Sequence, residues 1–202
     1  MFVLVPLWIF LVGIGVSFLH RYENGAGIVA QAPGNWPVDI PCDQIELAKS
    51  RSTLLVFIHP RCPCSAATLG ELGRLVASAR DRMRTHVVFW YPDHVSPDWT
   101  RSALRTQAAL IPGIHCLDDT GGDITRRFGV VTSGQSLLYS AEGQLLFTGG
   151  ITKSRGHFGD NVGSDTVRTI VLRGGSKTDE PVCSDVYGCS LVDPQIISDA
   201  KP

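Results

Sequence analysis

The sequence carries no excess of charge. Eighteen Lys and Arg stand against nineteen Asp and Glu in 202 residues, a formal net charge of −1. A nucleic-acid binder needs a basic surface, so that class is excluded. The chain has no internal repeat and no low-complexity tract. It has only six cysteines, too few for a disulfide-scaffold mini-protein, yet more than a typical cytosolic enzyme uses. Its apolar fraction of 44% is enough to build a core, which excludes bulk disorder. The length fits one ordinary domain with extensions.

Charge is missing altogether from residues 1–19 (MFVLVPLWIFLVGIGVSFL). At about 1.5 Å per residue such a helix spans roughly 28 Å, close to the hydrocarbon thickness of a bilayer. The expected element is a single-pass transmembrane helix. A cleaved signal segment and a core helix are the competing readings. The first lacks its basic leading residues, and its best small-residue triplet, Ala30-Gln31-Ala32, lies about a dozen residues too late. His20 and Arg21 would lie in the cytoplasm by the positive-inside rule. The cysteine chemistry leans the other way, so the soluble domain is expected to be periplasmic or otherwise extracytoplasmic.

Residues 20–41 are rich in Gly, Pro, Asn and Ala and read as a linker or an ordered strap. A domain is expected over 42–174 and a polar tail, laid over it, at 175–202. Within the domain, 53–58 (TLLVFI) is a continuous apolar run, the pattern of a strand buried on both faces. Helical spacing of Leu69, Leu72 and Val76 predicts a helix over 65–79. Further expectations are a strand at 86–91, a helix at 99–110, a short strand at 114–117 and a short helix at 124–128. A hairpin over 136–147 turns at Glu142-Gly143, and a last helix covers 160–172. This order predicts an α/β sandwich with a parallel part and an antiparallel edge hairpin.

The strongest chemical signal is His59-Pro60-Arg61-Cys62-Pro63-Cys64-Ser65, between the first strand and the first strong helix. A helix N-terminus presents unpaired N–H groups and partial positive charge, which favours a thiolate. Pro63 suits the first helical position, and Arg61 would add positive charge. Two cysteines around a proline at such a turn point to thiol chemistry. The alternatives are incidental buried cysteines, or a soft-metal site for an ion such as copper on Cys62, Cys64 and His59 or His157. His157 is a candidate proton carrier beside the thiols. His59 is read equally well as a simple strand end. Asp160 or Asn161 would cap the last helix. Cys183 and Cys189 would close a small tail loop by a disulfide, or one of them would resolve an oxidised Cys62 or Cys64. Cys42 and Cys116 read as structural.

These residues resemble the thioredoxin-like family over about 42–174. The strand ending near Phe57, the cysteines after it and the next helix are similar to the family's redox site. Phe128-Gly129-Val130 and Gly143 align without gaps on a second family segment, and its cis-proline falls at Gly134. More narrowly, 59–65, 132–135 and 149–161 resemble the bacterial RedB-type thioredoxin-fold proteins. The resemblance implies a thioredoxin-like three-layer α/β sandwich with a mixed central sheet, preceded by the membrane helix. It implies a thiol–disulfide oxidoreductase using Cys62, Pro63 and Cys64, with Arg61, Gly134 and His157 around them. Such a protein needs no cofactor. Its partners are a protein thiol or disulfide substrate and an electron donor. Two departures stand out: C-x-C replaces C-x-x-C, and Gly134 replaces the proline. A C-x-C disulfide is strained and easier to reduce. Three functions remain open: a tethered oxidoreductase, a copper-binding or assembly factor, and a catalytically degenerate domain that binds a protein partner. A thiol peroxidase is the least favoured, because its Pro-x-x-x-Thr-x-x-Cys pattern is missing.

Overall fold

In the computed structural model the described residues are 4–40, 45–175 and 180–191. Helix α1 (Leu4–Asn24) buries none of its side chains. It has 21 residues and mean hydropathy 1.7, long and apolar enough to cross a membrane. It runs five residues past the apolar stretch, into the segment read as linker.

The remaining elements follow in order: β1 (Ser52–Ile58), α2 (Ser65–Ala79), β2 (Met83–Tyr91), α3 (Ala103–Ala109), β3 (Ile114–Thr120), α4 (Asp123–Arg127), β4 (Gln135–Tyr139), β5 (Leu145–Gly150), α5 (Val162–Leu172) and β6 (Val182–Cys183). They build one six-stranded sheet in the order β3-β2-β1-β4-β5-β6. Strand β1 is central. It pairs parallel with β2, Val56 opposite Val87, and antiparallel with β4, Leu55 opposite Leu137. Every residue of β1 is buried, as its uninterrupted apolar run requires.

The strand alternation divides the core into two layers. Leu54, Val56 and Ile58 face Leu69, Leu72 and Val76 of α2 and Val167 and Val171 of α5. Leu55 and Phe57 face the other way, against Ile124 and Phe128 at α4 and Leu137 and Tyr139. Helices therefore cover both faces of a mixed sheet, with β1-α2-β2 parallel and β4-β5 antiparallel. This is the thioredoxin-like α/β sandwich that the resemblance implies.

Local chemistry trims the expected elements. Ser102, with extended backbone, accepts the Arg105 N–H at 3.2 Å, so α3 starts at 103 and 97–101 are turns. Asn161 accepts the Ser164 N–H at 2.8 Å and fixes the start of α5 at 162. Strand β3 continues to Thr120 because Asp119 is buried there as a cap. Its carboxylate accepts the Ile124 and Thr125 N–H groups at 3.0 and 2.8 Å and the Thr125 hydroxyl at 2.6 Å. These bonds close the start of α4, where Gly122 lacks a side chain to do so.

The flanking segments are straps. Trp36 packs edge-on against Phe128 and Tyr139, with centroids 5.3 and 5.2 Å away, and its N–H donates to Gly143 at 2.7 Å. On the other side of the chain, β6 pairs parallel with β5, and Leu191 enters the second core layer. The tail is thus laid over the domain, with a sixth strand that the sequence pattern did not announce.

Candidate active site: three thiols under a tail strap

Strand β1 ends at Ile58 and α2 begins at Ser65, so 59–64 form the turn above the sheet. Its shape is fixed by short backbone bonds. The Cys62 N–H donates to His59 O at 3.1 Å, Ser65 N–H to Cys62 O at 3.0 Å and Ala67 N–H to Cys64 O at 3.1 Å. Pro63 is exposed and lies two residues before the helix, not at its first position.

The facing wall is the turn 131–134. Ser133 accepts the His59 N–H at 2.8 Å through its hydroxyl, which also meets the Ser65 hydroxyl at 2.8 Å. The Gly134 N–H donates to Phe57 O at 2.7 Å. Gly134 has φ +91°. That left-handed conformation, not mere space, makes this position suit glycine.

The expected pairing of Cys183 with Cys189 is not formed. Cys183 is exposed, its thiol lying 3.7 Å from Pro181 O. Cys189 instead places its Sγ 2.8 Å from Cys62 Sγ, closer than an ordinary sulfur contact and farther than the roughly 2.05 Å of a disulfide bond. The residues between them explain the split. Cys183 lies in β6, paired to Thr148, whereas the chain crosses to Ser133 before Cys189.

The three thiols differ in acidity. Burial pushes the Cys62 thiol up, but hydrogen bonds from Cys189, Ser65 and Cys64 outweigh it, and Cys62 lies below its ordinary value. Cys64 is pushed up by burial and by the Cys62 charge, partly offset by the Arg155 guanidinium. Cys189 is pushed up to about 12, by burial and by its hydrogen bond and charge interaction with Cys62. Of the three, Cys62 alone is shifted towards the thiolate, and Cys64 and Cys189 are shifted towards the thiol.

Two expected neighbours are elsewhere. Arg61 is exposed and stacks over the Trp99 ring at 4.1 Å, so it does not supply charge to Cys62. His157 is exposed, with Nδ1 2.8 Å from the Arg155 carbonyl. The cation facing the thiols is Arg155, two residues earlier. Its Nη1 donates to Gly188 O at 2.6 Å, its guanidinium lies 5.3 Å from the Tyr22 ring, and its N–H donates to Glu23 O at 3.1 Å. Arg155 therefore joins the end of α1, the tail and the thiols. No spacing rule distinguishes it from His157, because the local fold of the loop decides which side chain turns inward.

The metal donor set does not assemble. His59 Nδ1 accepts the Arg61 N–H at 3.2 Å, and its ring stacks with Trp90 at 5.7 Å. Burial, then the Arg61 charge, pull the His59 pKa down. Among the described residues, no group of three or more His, Cys, Asp or Glu is placed to hold a metal ion. Cys116 is half-buried at the edge of the first core layer, as a structural cysteine would be, and Cys42 lies outside the described residues.

No family model and no curated protein matches the chain. Solved structures do. A hypothetical protein from Sinorhizobium meliloti is 18% identical at TM-score 0.60, over 82% of this chain and 96% of that one. An uncharacterised conserved protein from Geobacillus kaustophilus is 14% identical at 0.57, over 85% and 96%. A SCO1/SenC family lipoprotein from Bacillus anthracis is 11% identical at 0.50, over 73% and 100%. These likenesses are of fold.

Proposed function

We propose that the chain is a membrane-tethered thiol–disulfide oxidoreductase that reacts through Cys62. One observation carries this reading: Cys62 lies in the turn between β1 and α2 with Cys189 Sγ 2.8 Å from its own Sγ, and although burial pushes its thiol up, donors from Cys189, Ser65 and Cys64 bring its pKa below the ordinary value. The thiolate is the nucleophile in disulfide exchange, and such stabilisation raises its share near neutral pH. Cys62 attacks a protein disulfide and forms a mixed disulfide, which a second thiol resolves. The thiols suffice, with no cofactor. The substrate is a disulfide-bearing protein and the reductant a dithiol partner. The resemblance to RedB-type proteins in 59–65 and 149–161 supports the same reading.

Helix α1 serves as the tether, and the domain lies on the extracytoplasmic side, where disulfide substrates persist. The test is reduction of insulin, or isomerisation of a scrambled disulfide protein, by the full chain in detergent and by Cys62→Ser. Loss of activity in the variant is expected. Equal activity in both proteins would overturn the reading in favour of a binding domain.

A further inference from the structure

A two-cysteine turn would need no third thiol, yet the tail is built around one. Residues 185–191 cross the site on successive hydrogen bonds. Asp185 O accepts Gly150 N–H at 3.1 Å, Val186 O accepts Gly27 N–H at 2.7 Å and Cys189 O accepts Ser133 N–H at 2.8 Å; Leu191 N–H donates to Val131 O at 2.8 Å. Gly188 passes so close to Ser133 that a Cβ there would overlap the Ser133 carbonyl oxygen. This close passage sets Cys189 Sγ against Cys62 Sγ.

We propose that Cys62 and Cys189 form the redox couple of this site, with Cys189 as the resolving thiol on a tail that lifts and returns. The proposal rests on the oxidoreductase reading and names the partner thiol within it. Geometry favours Cys189 over Cys64. Cys62 and Cys64 are held in one tight turn by the Ser65 and Ala67 bonds, so closing a disulfide across Pro63 strains that turn. Cys189 comes from a separate segment held by individual hydrogen bonds, which can shift to bonding distance. Access points the same way. Cys62 is only 1% exposed, so an incoming disulfide reaches it when the tail moves aside. Cys189 is half-buried and travels with that tail.

The exchange runs in two attacks. The Cys62 thiolate attacks one sulfur of a substrate disulfide. An S–S bond breaks, the departing sulfur takes a proton from water, and a Cys62–substrate mixed disulfide forms. Cys189 loses its proton to solvent and attacks Cys62 Sγ. The second substrate thiolate leaves and is protonated. The substrate gains two electrons, and the Cys62–Cys189 pair loses two. A dithiol reductant returns the pair to thiols with its own oxidation to a disulfide.

The experiment treats the reduced full chain in detergent with oxidised glutathione and maps disulfides by peptide mass spectrometry. Wild-type and Cys64→Ser proteins are expected to yield a Cys62–Cys189 linkage. In Cys189→Ser and Cys189→Ala, loss of resolution leaves glutathione on Cys62. A Cys62–Cys64 linkage in wild type, with glutathione released at the wild-type rate from both Cys189 variants, would overturn the couple but leave the oxidoreductase reading standing. No glutathione or disulfide on Cys62 in any protein would defeat both.

Discussion

Arg155 donates a guanidinium hydrogen bond to Gly188 at 2.6 Å, one residue before the thiol that touches Cys62. The cation of the site thus grips the tail and does not meet Cys62 directly. Loop 151–161 and the tail hold each other over the thiols, and changes to either should be read at Cys62.

Gly188→Ala tests that linkage. The new Cβ meets the Ser133 carbonyl, a backbone atom that cannot swing away. The tail must back off, at a cost of about 1–3 kcal/mol for overpacking. The expected result is faster alkylation of Cys62 on the high-pH plateau of each protein, with the domain still folded. An unchanged rate would show that the tail does not cover the thiol.

The acidity of Cys62 gives a pH test. Because its thiol lies below the ordinary value, alkylation of Cys62 should rise with pH earlier than for an exposed cysteine. Cys189→Ser changes the donor, and the weaker fit moves the midpoint upward. Stability carries the same sign. This depressed thiol contributes stability that is full above the unfolded-state pKa and is lost as pH falls through the folded one. Thermal melts of wild type across that window should show a slope that Cys62→Ser flattens.

Gly134→Pro would restore the residue found at this place in the family the chain resembles, and it is expected to fail here. Proline fixes φ near −65°, against +91° in this chain, and removes the N–H bonded to Phe57 O. Loss of the buried bond alone costs about 1–3 kcal/mol, and the backbone mismatch adds to it. A denaturant midpoint equal to wild type would contradict this geometry.

His86 in β2 gives a second pH test. The residue is 2% exposed, and its ring faces His115, Arg84 and the Glu46 backbone, the last of which favours the charged ring. Burial first, then the His115 and Arg84 charges, lower its pKa to about 4. The unfolded chain takes up the proton first, so stability is full above about pH 6.5 and falls towards pH 4. The loss approaches about 3 kcal/mol. His86→Phe should remove most of that acid sensitivity in denaturant unfolding at pH 7.5 and 4.5.

Much of the fold was legible because its signals are local. The TLLVFI run marked β1, and Leu69, Leu72 and Val76 marked α2 with the bounds it has in the structure. Strand β6 was not legible, since two residues carry no alternation. The sequence placed Cys62 in its turn and left open a tail cysteine as its second thiol, but it did not say which of Cys183 and Cys189, because the contact spans 127 residues and spacing within 183–189 also suits a local ring. Arg61 misled for a related reason: adjacency in sequence does not fix direction, and Trp99 offered its ring to the guanidinium.

Thr132 sits where the two straps meet. Its hydroxyl donates to Ile28 O at 2.7 Å, and its backbone bridges Ser190. A fragment cut at 42 and 174, the bounds the alternating pattern suggests, would lose both neighbours at once. It would also strip Ala32, Trp36 and Leu191 from the second core layer. Such a fragment would bring Cys62 into solvent without its Cys189 donor and would leave only the Ser65 and Cys64 donors beside it. The smallest unit that retains this thiol chemistry is therefore larger than the sandwich that supports it.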